Sequence, residues 1–189
     1  MITIAIKKIY LYAIVGVILA GFSIVFFALR SSGSKLTTIT ANVNVATLGL
    51  EVGNLAPDFQ LTDSDGKIFT RSSFAGKPVM IFFTTTWCVP CQIGARELLK
   101  YDLETGDNAF HVVVVFIDSR ETNAQIKWWK DNFGGKDWIT ALDTNGMAYD
   151  YEVRFLDTKY VLNKNGVIVW KDFYPLTYET AKSVLEPLL

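Results

Sequence analysis

The chain has 189 residues, half of them hydrophobic, with one histidine, two cysteines and a formal net charge of −1, a length that holds one domain plus an appendage. Lys7, Lys8, Arg30 and Lys35 are the only bases before Glu51, the first acid, so the remainder carries all 19 acids against 14 of the 18 bases. A domain with that excess lacks the basic footprint that nucleic-acid phosphates demand, and no nucleic acid is expected as a partner.

The appendage comes first. Residues Ile9 to Leu29, "IYLYAIVGVILAGFSIVFFAL", form an uncharged run of 21 residues, enough for a helix to span a hydrocarbon core of about 30 Å. The run is longer than the apolar core of a cleavable signal, and "RSSGS" after it is a poor cleavage site. A transmembrane anchor is therefore expected over 1–30, with the lipid bilayer as its partner. Lys7, Lys8 and the amino terminus, set against Arg30 and Lys35, favour an amino terminus inside and a domain outside. The expected location is the cell membrane, single-pass, with an extracytoplasmic domain. The Ser-, Thr- and Asn-rich stretch that follows reads as a flexible linker over 31–51, and the domain as 52–189.

Short alternating runs at Phe59–Leu61 and Ile68–Thr70 flank "DSDG", an N-terminal β-hairpin signal. "VMIFFT", Val79 to Thr84, and "HVVVVFI", His111 to Ile117, are continuous apolar runs of the kind found in strands buried on both faces. Between them Pro90 to about Leu103 carries helical spacing through Ile93, Leu98, Leu99 and Leu103. A second helix is expected over Thr122 to Asn132, ending before Gly134-Gly135. A short strand at Trp138–Leu142 and a short helix at Asn145–Tyr151 follow. Thr158–Leu162 and Val167–Trp170 flank the "NKNG" turn, and an amphipathic helix, Tyr178 to Leu188, closes the chain. The order describes an α/β fold with a mixed sheet between two helical layers. "KWWKDNFGGKDW", Lys127 to Trp138, reads as one indole packed inward and the rest half covered.

Both cysteines lie in "WCVPC". Cys88 falls where a buried strand meets a helix, so unpaired N–H groups and the helix dipole favour its thiolate. Cys91, one helical turn on, brings its sulfur alongside, and Pro90 suits the first turn. Cys88 is expected to attack and Cys91 to resolve. A zinc site wants about four ligands, and the chain has no third cysteine and a single histidine, His111, at the start of a core strand.

"WCVPC" after "VMIFFTTT", with "VGNLAPDFQLTDSDGK" upstream and "YVLNKNGVIVW" downstream, resembles the TlpA/ResA group of membrane-anchored thioredoxin-fold proteins, within the AhpC/TSA–Redoxin superfamily. The resemblance runs from about Val52 to the carboxyl terminus. It implies a thioredoxin-like three-layer fold and a thiol–disulfide oxidoreductase acting on protein disulfides outside the cytoplasm, for instance in cytochrome c maturation. It also implies a membrane electron donor or acceptor as partner. Trp87, Cys88, Pro90 and Cys91 match the active-site motif, and the redox-active Cys88–Cys91 disulfide itself serves in place of a cofactor.

Three positions depart from that pattern. Asp157 stands where such enzymes usually carry a cis-proline, and no proline occurs between Pro90 and Pro175; a trans Leu156–Asp157 bond is expected, since a non-proline cis bond costs about 2.5–4 kcal/mol. Phe82 replaces the buried Asp of thioredoxins, and Gly94 replaces the Glu frequent in this group. Asp157 is accordingly a candidate carboxylate beside the thiols, with a solvated loop residue as the alternative. Cys88, Cys91 and Asp157 together could also supply three metal ligands. A peroxiredoxin is the rival enzyme: Thr85 fits its P-x-x-x-T-x-x-C motif, but Ile81 stands at its proline. A copper chaperone of this fold would want a histidine near the strand before "NKNG", and none is there.

Overall fold

Val79–Thr84 (β3) is buried along its whole length, and the sheet is built outward from it. Residues 46–106 and 108–189 are described in this computed structural model; the expected span over 9–29 lies outside them. No helix among the described residues is long and apolar enough to cross a membrane.

A five-stranded sheet runs β5 (Ile139–Leu142), β4 (His111–Phe116), β3, β6 (Thr158–Leu162), β7 (Ile168–Asp172). β3 pairs parallel with β4 and β4 with β5, whereas β3–β6 and β6–β7 are antiparallel. This is the expected mixed sheet. Successive residues of β3 alternate between two cores, as the strand period of two requires. Met80 and Phe82 face one, where α1 (Val89–Thr105), α2 (Asn123–Phe133) and α4 (Tyr178–Leu185) pack; Ile81 and Phe83 face the other.

The second face differs from the expected helical layer. It is covered by the hairpin β1 (Gln60–Thr62) and β2 (Ile68–Thr70), a 3-10 turn at Arg71–Phe74 and the single-turn α3 (Met147–Asp150). Phe59, Leu61, Phe74, Met147 and Tyr151 fill it with large side chains, so a thin cover excludes water. The folded unit also begins before residue 52. Leu55 N–H donates to Thr47 O (2.8 Å), Gly49 N–H donates to Leu55 O (3.0 Å), and Leu50 packs on the second core. The last residues of the expected linker are thus part of the domain.

α1 buries Cys91, Gly94, Ala95, Leu98 and Tyr101. Ile93 and Leu103, expected on its inner face, are exposed. The small Gly94 lets the helix approach Leu176, just ahead of α4, so closely that a Cβ there would lie 3.2 Å from Leu176 N, and that approach favours the Gly94–Ala95 face as the inner one. In the tryptophan-rich segment two indoles are buried, Trp129 and Trp138, where one was expected, and only Trp128 is exposed. Trp129 meets Phe116 edge-on at 5.2 Å between ring centroids, and Trp138 Nε1 donates to Asp102 (2.7 Å).

Candidate active site

The dithiol sits where β3 ends and α1 begins, at the carboxyl end of the central strand. Cys88 is the residue capping α1, with Pro90 in the first turn, and Cys88 Sγ accepts from the Cys91 N–H (3.4 Å). The two cysteines are joined in a disulfide with Cα atoms 5.3 Å apart. They are unequal: Cys88 keeps 7% of its surface and Cys91 none. Cys88 is therefore the less enclosed of the two.

The residues before Cys88 are clamped from β4 and α1. Glu121, buried in the loop after β4, accepts at Oε1 from Thr86 N (2.5 Å) and from Thr86 Oγ1 (2.6 Å). Gln92 Nε2 donates to Thr86 O (2.7 Å), so both backbone groups of Thr86 are held. Trp87, 58% exposed, donates from its indole Nε1 to Asp118 Oδ2 (3.1 Å). Arg120 grips the same carboxylate from Nε (2.9 Å) and Nη2 (2.7 Å). The Arg120 side chain, its backbone N–H and the Trp87 indole hold the Asp118 carboxyl well below the usual carboxylate range.

On the other side of β3 stands Asp157. It is not a solvated loop residue: it keeps 4% of its surface and is ion-paired to Lys159, which keeps none. Its backbone is left-handed at φ 69°, and the peptide bonds of the described residues are all trans, the Leu156–Asp157 bond included. A left-handed non-glycine residue costs about 1–2 kcal/mol, least for Asp and Asn. Burial raises the Asp157 carboxyl above its ordinary range, against the pull of Lys159, and burial lowers the Lys159 ammonium, against the pull of Asp157.

The three-ligand set of Cys88, Cys91 and Asp157 is not assembled in this state: the two sulfurs are bonded to each other, and among the described residues no group of three His, Cys, Asp or Glu is placed to hold a metal ion. His111 is structural, meeting Phe74 edge-on at 5.3 Å between ring centroids. Glu97 pairs with Lys100 along α1. Sequence reading missed Glu121, Asp118 and Lys159. A signal existed for the first two, since acids just after a buried strand lie at the carboxyl end of the sheet, where sites gather. None existed for Lys159, which reads as an outward residue of a short strand.

The Redoxin family model matches residues 51–186. Over 121 residues the chain is 30% identical to the thioredoxin-like protein YneN of Bacillus subtilis, covering 64% of this chain and 71% of that one. Over 124 residues it is 31% identical to the thiol-disulfide oxidoreductase ResA of Bacillus thuringiensis, covering 64% and 68%. Among solved structures, the exposed lipoprotein thioredoxin Etrx1 of Streptococcus pneumoniae aligns with a TM-score of 0.58 at 25% identity, covering 70% of this chain and 100% of that one. A clamped disulfide at the strand-to-helix junction of a thioredoxin-like sheet, together with these relatives, means that the chain belongs to the Redoxin family as a ResA-like thiol–disulfide oxidoreductase.

Proposed function

We propose that the chain reduces disulfides of extracytoplasmic proteins from a membrane anchor, with Cys88 attacking and Cys91 resolving. The observation that carries this reading is the inequality of the pair: the helix-capping Cys88 retains 7% of its surface, and Cys91 retains none. In the reduced protein the Cys88 thiolate would sit on the N-terminus of α1, where N–H groups and the helix dipole stabilise negative charge.

The chemistry balances without a dissociable cofactor. Cys88 attacks one sulfur of the substrate disulfide and the other leaves as a thiol. Cys91 then attacks Cys88 Sγ, the second substrate sulfur leaves, and the Cys88–Cys91 disulfide forms. Two electrons pass to the substrate, and a dithiol donor in the membrane must return them. Exposed Trp87 and Val89 beside Cys88, with the ring stack of Phe155, Phe173 and Tyr174 on the loops around Asp157, support a protein substrate over a small molecule. An apocytochrome c awaiting haem is the substrate that the TlpA/ResA likeness favours.

A redox titration of the full chain in detergent, read by tryptophan fluorescence with Trp87 adjoining the disulfide, tests the reading. Known pairs span roughly −270 to −120 mV. A reversible two-electron transition near the thioredoxin end is expected. A transition near the oxidising end would make the protein a disulfide donor, and no reversible transition would remove the exchange reading. Retention in alkali-washed membranes by the full chain, and release when residues 1–30 are deleted, tests the anchor.

A further inference from the structure

Lys159 is a wholly buried lysine on the strand next to the dithiol-bearing one. In the antiparallel β3–β6 pair Lys159 lies opposite Phe82, and opposite residues share a face. Phe82 belongs to the core that holds Cys88 and Cys91, so Lys159 enters that same layer, its Nζ 5.2 Å from the Phe82 ring centroid. The ammonium spends its donors on Asp157 Oδ1 (2.7 Å), the Asp157 carbonyl and the Tyr174 carbonyl (2.8 Å). The Asp157 N–H donates to Phe83 O (3.1 Å), which pins Asp157 at the end of β3 from which the chain runs into the dithiol. Among the described residues, Asp157 Oδ2 is buried and has no partner in this disulfide-bonded state.

A carboxylate oxygen kept dry and unpartnered is costly unless some state of the protein supplies a donor. Dithiol exchange supplies one. A buried thiol has a raised pKa and a low thiolate fraction at neutral pH, so it needs a base to become a nucleophile. Resting on the dithiol-exchange reading above, we propose that Asp157 takes the Cys91 proton as Cys91 resolves the mixed disulfide, with Lys159 as the counter-charge that keeps this buried carboxylate ionised. In the step the Cys91 S–H bond breaks and its proton moves to Asp157 Oδ2. The Cys91 sulfur bonds to Cys88 Sγ, the Cys88–substrate S–S bond breaks, and the substrate sulfur leaves with its electron pair, to be protonated by Asp157 or solvent.

The backbone of Asp157 agrees with that role, because strained, buried polar residues persist where the surroundings over-determine them, and functional sites are where they cluster. Asp172, on β7, adds a negative charge that repels the Asp157 carboxylate and attracts the Lys159 ammonium, raising both, while burial remains the larger influence on each. An acceptor raised by burial is better matched to a thiol than an exposed carboxylate. Glu121 Oε2 is also buried and unpartnered, but Glu121 fastens Thr86, ahead of Cys88, on the β4 side.

The test uses the reduced full chain in detergent and 5,5′-dithiobis(2-nitrobenzoate). Attack by Cys88 releases one thionitrobenzoate and resolution by Cys91 releases the second, so the two steps separate in stopped flow. Asp157→Asn is expected to leave the first phase unchanged and slow the second at least about tenfold at pH 7. The loss should shrink as pH rises into the range where a buried thiol ionises without a base. Lys159→Met should shift the low-pH limb of the second phase upward, because Asp157 without its counter-charge is protonated at higher pH. If Asp157→Asn does not fold, Asp157→Gly replaces it, since glycine adopts this positive φ freely. A second phase with unchanged rate and pH profile in these variants, or a profile that moves with Glu121→Gln instead, overturns the proposal. A wild-type protein releasing fewer than two equivalents overturns the exchange reading itself.

Discussion

The indole Nε1 of Trp87 donates to Asp118 Oδ2 across 3.1 Å, joining the residue before the dithiol to the loop that leaves β4. Arg120 completes the arrangement by gripping the same carboxylate. Because Asp118 is held well below the usual carboxylate range, chiefly by its hydrogen bonds with Arg120, it contributes stability that is fully present above its unfolded pKa of about 3.9. That contribution drains away as pH falls through the folded value. In urea unfolding followed from pH 6 downward, wild type should lose more stability below about pH 4 than Asp118→Asn does. Parallel curves would show that the contact does not persist in solution.

Glu121 supports the other flank of the same loop. Its Oε1 accepts two hydrogen bonds from Thr86, and hydrogen bonds to a charged group are worth about 1.5–3 kcal/mol each. Glu121→Ala loses both, offset by release of a buried charge, and should cost about 2–3 kcal/mol in urea unfolding. Glu121→Gln keeps a carbonyl oxygen for Thr86 and should recover more than half of that loss.

Lys159 is expected to matter for the fold as well as for proton transfer. Removing one partner of a buried pair strands the other, at a cost of about 3–5 kcal/mol. Lys159→Ala leaves Asp157 without counter-charge and the Tyr174 carbonyl without its donor. The double variant Asp157→Asn/Lys159→Met removes both charges and should regain most of the stability. Denaturation midpoints for these variants and for Lys159→Met alone check this: if Lys159→Met and the double variant lose equally, the stranded Asp157 charge is not what costs the fold.

The parts of this molecule governed by local rules were legible in its sequence. The runs at β3 and β4 could only be strands buried on both faces, and Thr158–Leu162 was bounded by its turn. Thr122 is the cap of α2, with a reciprocal bond from Gln125, as its residue type suggests. The dithiol was legible for the same reason, since a capping cysteine before a proline needs no tertiary information. Legibility stopped where contacts between strands decide the outcome. Lys159 is a buried cation because β6 lies beside β3 in a register that turns it inward. Asp157 is dry because that lysine awaits it. Ile93 and Leu103 face outward because Gly94 and Ala95 allow a closer contact than they do.

His111, the single histidine, reports on the far end of the sheet. Burial lowers its pKa from the usual 6.5, and nearby Lys77 lowers it further. The folded state therefore resists protonation that the unfolded chain accepts. Stability is whole above about pH 6.5 and is lost as pH falls from there through the folded value. His111→Gln should flatten the dependence of the urea midpoint between pH 7 and 5, and an unflattened profile would place the responsible group elsewhere.

Gly94 bears on why the group's frequent glutamate is missing from this helix. A Cβ built on Gly94 would lie 3.2 Å from Leu176 N and 3.3 Å from Leu176 Cβ. Leu176 follows Tyr174, whose carbonyl Lys159 holds, so the segment facing Gly94 is tied to the buried ion pair. A glutamate there would have to push this segment away or bury a charge against backbone. Gly94→Glu should therefore cost more than about 2 kcal/mol, as overpacking and an unpaired charge do. Gly94→Ala gains about 1 kcal/mol of helix propensity against a contact tight by a few tenths of an ångström, and should come out near neutral. The pair of variants discriminates: a tolerated Ala with a damaging Glu means that the close α1–Leu176 contact excludes the carboxylate. If Glu is tolerated too, the Leu176 segment yields, and Lys159 does not hold it as firmly as its hydrogen bond to Tyr174 implies.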